Sequence, residues 1–264
     1  MHRLALAVLL LASAGGLDAS RSPHEPTVTY FAFSLQWSSG VCNAGHEKCI
    51  KEKERSFWTI HGLWPSSNTS DPQFCNRTLQ YNATVLSPLV PQLDLYWPSV
   101  SEDNNKFWKH EWLKHGTCAT MVPRLKGLYK FFNTTLNIYL QHNITEYLRS
   151  SGVVPTSERT YTLQEIKDAL HHDIREAANF VCHYSKKYAA PVLAEIRFCL
   201  DRGLQPINCK VKHSDCDQGD VYYLASDASY GKGSATSLTS PLSWLLHFSW
   251  LLAISVVCIP HCAG

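Results

Sequence analysis

Two short stretches of this chain concentrate side chains able to move protons. Phe57-Trp58-Thr59-Ile60-His61-Gly62-Leu63-Trp64-Pro65 carries one histidine. Phe107-Trp108-Lys109-His110-Glu111-Trp112-Leu113-Lys114-His115-Gly116-Thr117-Cys118 carries two more, with a glutamate and two lysines. On a helix with His110 at zero, Lys114 falls about 40° round, Glu111 about 100° and His115 about 140°, with Trp108 and Trp112 at about 160° and 200°. Four polar groups then share one face, while the tryptophans pack inward and hold that face rigid. A zinc-protease reading fails because its two histidines must lie one helical turn apart, whereas His110 and His115 are five residues apart. A serine-hydrolase reading fails because there is no G-x-S-x-G elbow.

What remains is acid-base chemistry by imidazoles beside Lys114 and Glu111. Near the ordinary histidine pKa one ring can be neutral while another is protonated, so a pair can accept one proton and donate another in the same step. Cleavage of an RNA strand needs that combination. The substrate brings its own nucleophile, the 2′-hydroxyl, so the protein needs neither a serine nor a metal-bound water. A base removes the 2′ proton, an acid protonates the departing 5′-oxygen, and cations such as Lys114 and protonated His110 stabilise charge on the phosphate. Bulk charge is not the means of holding RNA, because 24 Lys and Arg against 22 Asp and Glu leave only +2.

The elements that must position these groups read as an α+β domain over 27–225. Tyr30 to Trp37 alternates, with Phe31, Phe33, Leu35 and Trp37 on one side and Ala32, Ser34 and Gln36 on the other. Phe57 to Leu63 reads as a second strand, placing Thr59, His61 and Leu63 on one face before Trp64-Pro65 ends it. Val192 to Leu200 and Val221 to Leu224 read as further strands. Helices are expected at Leu86 to Tyr96, Asn105 to Gly116, Leu125 to Leu140 and Leu163 to Ala178, the last opened by Thr162 and Glu165 at capping-box spacing. Trp58, Trp108 and Trp112 read as core. The histidines outside the two motifs, His142, His171, His172 and His183 among them, read as ordinary solvated or hydrogen-bonded residues.

The two ends differ from this body. Residues 1–19 open with Arg3 and the apolar run Leu4 to Leu11, followed by small residues at Ala12-Ser13-Ala14, which reads as a secretory signal peptide. Secretion or an endolysosomal destination is therefore expected. Asn68, Asn76, Asn82, Asn133 and Asn143 begin N-glycosylation triplets, although Asn143 fits equally well as the N-cap of Ile144 to Ser151. A Gly- and Ser-rich linker at 226–240 leads to the apolar tail 241–264, which suits a cleaved lipid-anchor signal better than a span because no Lys or Arg follows it. Of ten cysteines, eight lie in the body, none in a CxxC pair, and the close pairs 42/49 and 199/209 could each staple a short loop.

With both motifs in this order, the sequence resembles the ribonuclease T2 family of secreted, mostly acid endoribonucleases. The likeness extends from about Phe31 to Ala225 through the cysteines and Tyr96-Trp97-Pro98. It implies a central antiparallel sheet flanked by helices and stapled by bridges 42/49, 75/118, 182/216 and 199/209. It also implies cleavage of single-stranded RNA through a 2′,3′-cyclic phosphate to a 3′-phosphate end, without metal or cofactor, by a monomer. By position, His61 and His115 are the two catalytic histidines, acid and base in that order or exchanged. The resemblance also implies that His110 binds phosphate, that Glu111 with Lys114 stabilises the crowded phosphorus, that Trp64 stacks on a base and that Gln36 contacts one. Many members place an acid or amide after the first motif's proline; Ser66 stands there, so base preference is not carried over. The competing reading is a glycoprotein that uses the same scaffold for receptor or cell recognition, with catalysis incidental.

Overall fold

The computed structural model describes residues 27–43, 48–209, 216 and 219–226. The signal peptide, nearly all of the linker and the apolar tail lie outside them. No helix among the described residues is long and apolar enough to cross a membrane.

Strand β1, Tyr30–Gln36, is paired along both edges, and its alternation gives it two distinct faces. Phe31, Phe33 and Leu35 are fully buried in the core, while Ala32 and Gln36 face a cavity on the other side. It pairs antiparallel with β2, Thr59–Ser66, and with β4, Ala190–Leu200, and β4 pairs antiparallel with β3, Ala178–Ser185. The order β2-β1-β4-β3 is completed by β5, Pro206–Ile207, on the end of β4. The sheet's apolar face meets the helices through a cluster that includes Trp97, Trp112, Phe131, Phe132 and Leu136. The helices are α1, Ser38–Asn43; α2, Val90–Tyr96; α3, Asn104–Lys114; α4, Leu128–Gln141; α5, Ile144–Ser150; α6, Leu163–Asp168; and α7, His172–Arg175. This is the expected α+β arrangement, and its bridges are Cys42–Cys49, Cys75–Cys118, Cys182–Cys216 and Cys199–Cys209, the pairing the resemblance implies.

Several elements depart from the sequence expectation. β2 does not stop at Trp64 but runs through Pro65 to Ser66. A proline is tolerated there because β2 is an edge strand, whose outer side needs no amide partner. The helix expected over Leu163 to Ala178 divides into α6 and α7, because His171 takes an extended backbone. Ile166, Leu170 and Ile174 are all buried on both sides of the break, so helical spacing of apolar residues survives without a continuous helix. Ala178 then begins β3, a strand the sequence reading missed. Val221 and Tyr222 form only isolated bridges, to Tyr161 and Val192. A short 3₁₀ turn at Pro123–Leu125 ends at the extended Lys126, and α4 begins after Gly127, whose φ of 103° suits glycine. The Thr162 and Glu165 capping box is present, and Asn143 caps α5 by accepting from the amide of Glu146.

Candidate active site

The first motif reaches the cavity through a β-bulge. Ser34 lies opposite Gly62 and Leu35 opposite Ile60, so His61 is an extra residue left out of the pairing. The bulge resets the strand's alternation. Ile60 and Leu63 both enter the core, while His61 and Trp64 both line the cavity. The expectation that His61 and Leu63 share a face is therefore wrong, since strict alternation holds only where no residue is inserted. The backbone of His61 is tied down by Trp97, whose indole donates to its carbonyl at 2.9 Å, and Trp97 in turn accepts from the Trp108 indole at 2.8 Å.

The second motif is α3 and the turn that follows. Asp103 caps the helix by accepting from the amide of Lys106. Trp108 and Trp112 face the core as expected, but Glu111 is buried too, with 2% of its surface exposed. His115 is the C-cap, beyond the last helical residue, and lies buried beside the 3₁₀ turn Gly116–Cys118. The Cys75–Cys118 bridge and a hydrogen bond from the Phe74 amide to the Lys114 carbonyl, 2.9 Å, clamp this end of α3 to the segment after β2.

His61, His110, Glu111, Lys114 and His115 all line one cavity of about 740 Å³. Trp64 stands among them. Its ring centroid is 5.0 Å from that of His61 and 5.5 Å from that of His115, and its indole donates to Glu111 Oε2 at 3.1 Å. Trp64 is thus held by the catalytic candidates themselves as well as facing the cavity. Gln36 also lines the cavity, but it is buried and its amide donates to the Pro98 carbonyl at 3.3 Å. Ser66 turns its hydroxyl onto the Trp64 carbonyl, 3.2 Å away.

Sequence reasoning missed the groups that β4 contributes. Glu195 accepts from His61 Nδ1 at 2.7 Å, from the Ser34 hydroxyl at 2.9 Å and from Arg197 Nε at 2.6 Å. The Arg197 guanidinium carbon lies 5.0 Å from the centroid of the Trp64 ring. The signal was present: Glu195 and Arg197 alternate with Ile196, Phe198 and Leu200 in a strand otherwise built for burial, and charges there need a partner across the sheet. His183, an ordinary residue by its sequence context, lines the cavity as well.

The electrostatics differ sharply between the two motifs. Burial lowers the pKa of His61, but the charge and hydrogen bond of Glu195 outweigh it, so the ring titrates above the ordinary 6.5. His115 is pushed down to about 3 by burial first and then by Lys114 and His110. His110 is also lowered, by burial and by Lys114. Glu111 is raised to about 7 by burial, against the opposing pull of His61 and Trp64. One cavity therefore holds a proton-rich and a proton-poor imidazole.

Gly62 makes this assembly fit. A Cβ at that position would run into Glu111 Oε2 and Trp64 Nε1, the two atoms that bond each other. Gly62→Ala is expected to lower kcat by at least about tenfold, since moving a positioned group by a fraction of an ångström is enough to do so. Steady-state kinetics alongside the thermal midpoint of the variant would check this.

The Ribonuclease T2 family model matches residues 28–209. Ribonuclease Oy of Magallana gigas is 35% identical over 202 residues, covering 74% of this chain and 94% of that protein. Ribonuclease T2 of Sus scrofa is 35% identical over 193 residues, 71% of this chain and 92% of that protein. The crystal structure of human RNase T2 superposes with a TM-score of 0.64 at 29% identity, over 75% of this chain and 98% of that one. RNase NT, solved with 5′-AMP, superposes at 0.68 with 24% identity over 76% of this chain and 100% of that one, a likeness of fold.

Proposed function

The chain belongs to the ribonuclease T2 family and is a T2-type endoribonuclease, and from that premise we propose a metal-independent histidine pair acting on single-stranded RNA. The observation that carries the reading is the convergence of two imidazoles on one cavity, one hydrogen-bonded to the Glu195 carboxylate and the other buried with its Nδ1 unpartnered. His115, buried with its Nδ1 unpartnered and its pKa near 3, is the base. It takes the 2′-hydroxyl proton as the 2′-oxygen attacks phosphorus. His61, kept protonated by Glu195, is the acid and gives its proton to the departing 5′-oxygen, which leaves a 2′,3′-cyclic phosphate. With the protons now exchanged, His61 activates water, His115 protonates the 2′-oxygen, and the ring opens to a 3′-phosphate.

Lys114 supplies positive charge to the non-bridging oxygens, and His110 joins it once the phosphate's own charge favours protonation. Glu111, protonated below about 7, is able to donate a hydrogen bond to the same oxygens. Trp64 offers a ring face to an unpaired base at the cavity, and Gln36 adds a polar lining to it.

The test is end-group analysis of products from a defined oligoribonucleotide with EDTA present. Cyclic phosphate ends maturing to 3′-phosphate are expected, and a strand with deoxyribose at the cut position should survive. Ends bearing 5′-phosphate, or equal cutting of the deoxy strand, would overturn the reading. Entry into the secretory pathway through residues 1–19 belongs to the same proposal and is supported by four disulfides. So do N-linked glycans, monomeric action, and attachment or release through the tail 241–264. Release by a phosphatidylinositol-specific phospholipase tests that last point.

A further inference from the structure

Glu195 occupies an unusual place. It lies in the middle of the sheet, opposite Gln36 of β1 and Val181 of β3, with 6% of its surface exposed. A carboxylate there is costly unless its oxygens are satisfied. Oε2 is satisfied without any catalytic group, by Ser34 and Arg197. Oε1 is spent on His61. A purely structural carboxylate did not need that second contact.

His61, for its part, depends on it. Because the bulge removes His61 from the strand pairing, its ring is set by its neighbours: the Trp64 ring at 5.0 Å, the Phe107 ring at 6.0 Å, and Glu195. The bond to Glu195 is the one hydrogen bond to that ring among the described residues. It commits Nδ1–H to the carboxylate, so Nε2 is the nitrogen left for substrate, in the way a carboxylate orients imidazole in other acid-base pairs.

We propose that Glu195 is a positioning residue that fixes the tautomer, orientation and charge of His61, with Ser34 and Arg197 holding Glu195 in place. The assignment rests on His61 being the acid. The charged and titratable groups that face His61 are Glu195 and Arg197 from β4, Glu111 and His110 from α3, and His115 from the end of that helix. Glu195 and Glu111 favour its protonated form, and Arg197 opposes it. Removing Glu195 and removing Arg197 should therefore move His61 in opposite directions, which a general loss of packing would not do.

The experiment follows the His61 ring resonance by NMR through a pH titration, in the intact protein and in Glu195→Gln and Arg197→Gln. Glu195→Gln keeps the size and an acceptor but drops the charge. Its titration midpoint should fall, and Arg197→Gln should raise it. The falling limb of the kcat/KM profile on RNA should move with the midpoint, costing about tenfold in activity above it for each pH unit moved. An activated nitrophenyl group departs without a proton, so Glu195→Gln should lose much less activity on such a substrate than on RNA. An unmoved His61 midpoint in Glu195→Gln would overturn the proposal. Should Glu195→Gln fail to fold, Arg197→Gln alone decides by its sign. The titration is read without turnover, so a protein that cuts no RNA would sink the histidine-pair reading while leaving the coupling between Glu195 and His61 measurable.

Discussion

Alanine at position 115 should reduce kcat on RNA by about 10²–10⁴-fold, the usual contribution of one positioned proton-transfer group. His115 is suited to the base role because the fold keeps it neutral. It sits beyond the last residue of α3, buried, with Lys114 and His110 beside it, and its pKa is driven to about 3. Activity should therefore rise as pH climbs through about 3, where His115 loses its proton, and fall once pH passes the raised pKa of His61, above 6.5. Glu111 titrates at about 7 and adds to that falling limb, so the limb belongs to the coupled pair and not to His61 alone. In His115→Ala the rising limb should disappear along with the rate. The check is a pH series of kcat/KM for both proteins, with circular dichroism to confirm that the variant folds. Wild-type turnover in His115→Ala would remove His115 from the reaction.

The second large effect is at His61. His61→Ala should lose a comparable factor of about 10²–10⁴ on RNA, where the leaving group is a poorly acidic sugar hydroxyl. On a uridine 3′-phosphate ester with a nitrophenyl leaving group the loss should be small, because that group departs without a proton. The same pair of substrates should not rescue His115→Ala, since the 2′-hydroxyl must be deprotonated in both. This crossed pattern separates acid from base directly. If the nitrophenyl ester rescued His115→Ala and not His61→Ala, the two roles would be exchanged, and the tie between Glu195 and His61 would need another explanation.

The two motifs were legible because their residue types admit few chemistries: three histidines, a glutamate and two lysines packed among tryptophans. Alternation identified β1 and most of β4, and the capping box at Thr162 fixed the start of α6. The sequence failed where local periodicity is ambiguous. Residues 163–178 keep helical spacing across a break, and β3 shows no clear alternation because Phe180, Val181 and Cys182 are buried in succession. The bulge at His61 is a mismatch between two strands, and so it cannot be read from one of them.

What the amino-acid sequence determined by itself is the inventory, that is, which groups are able to carry protons and which family pattern they follow. Their ordinary acidities are nearly the same, so the inventory alone leaves acid and base undecided. Only the tertiary structure gives the two rings different surroundings. The carboxylate against His61 comes from Glu195, distant in sequence and brought beside it by the sheet, while His115 lies buried next to Lys114 at the end of α3.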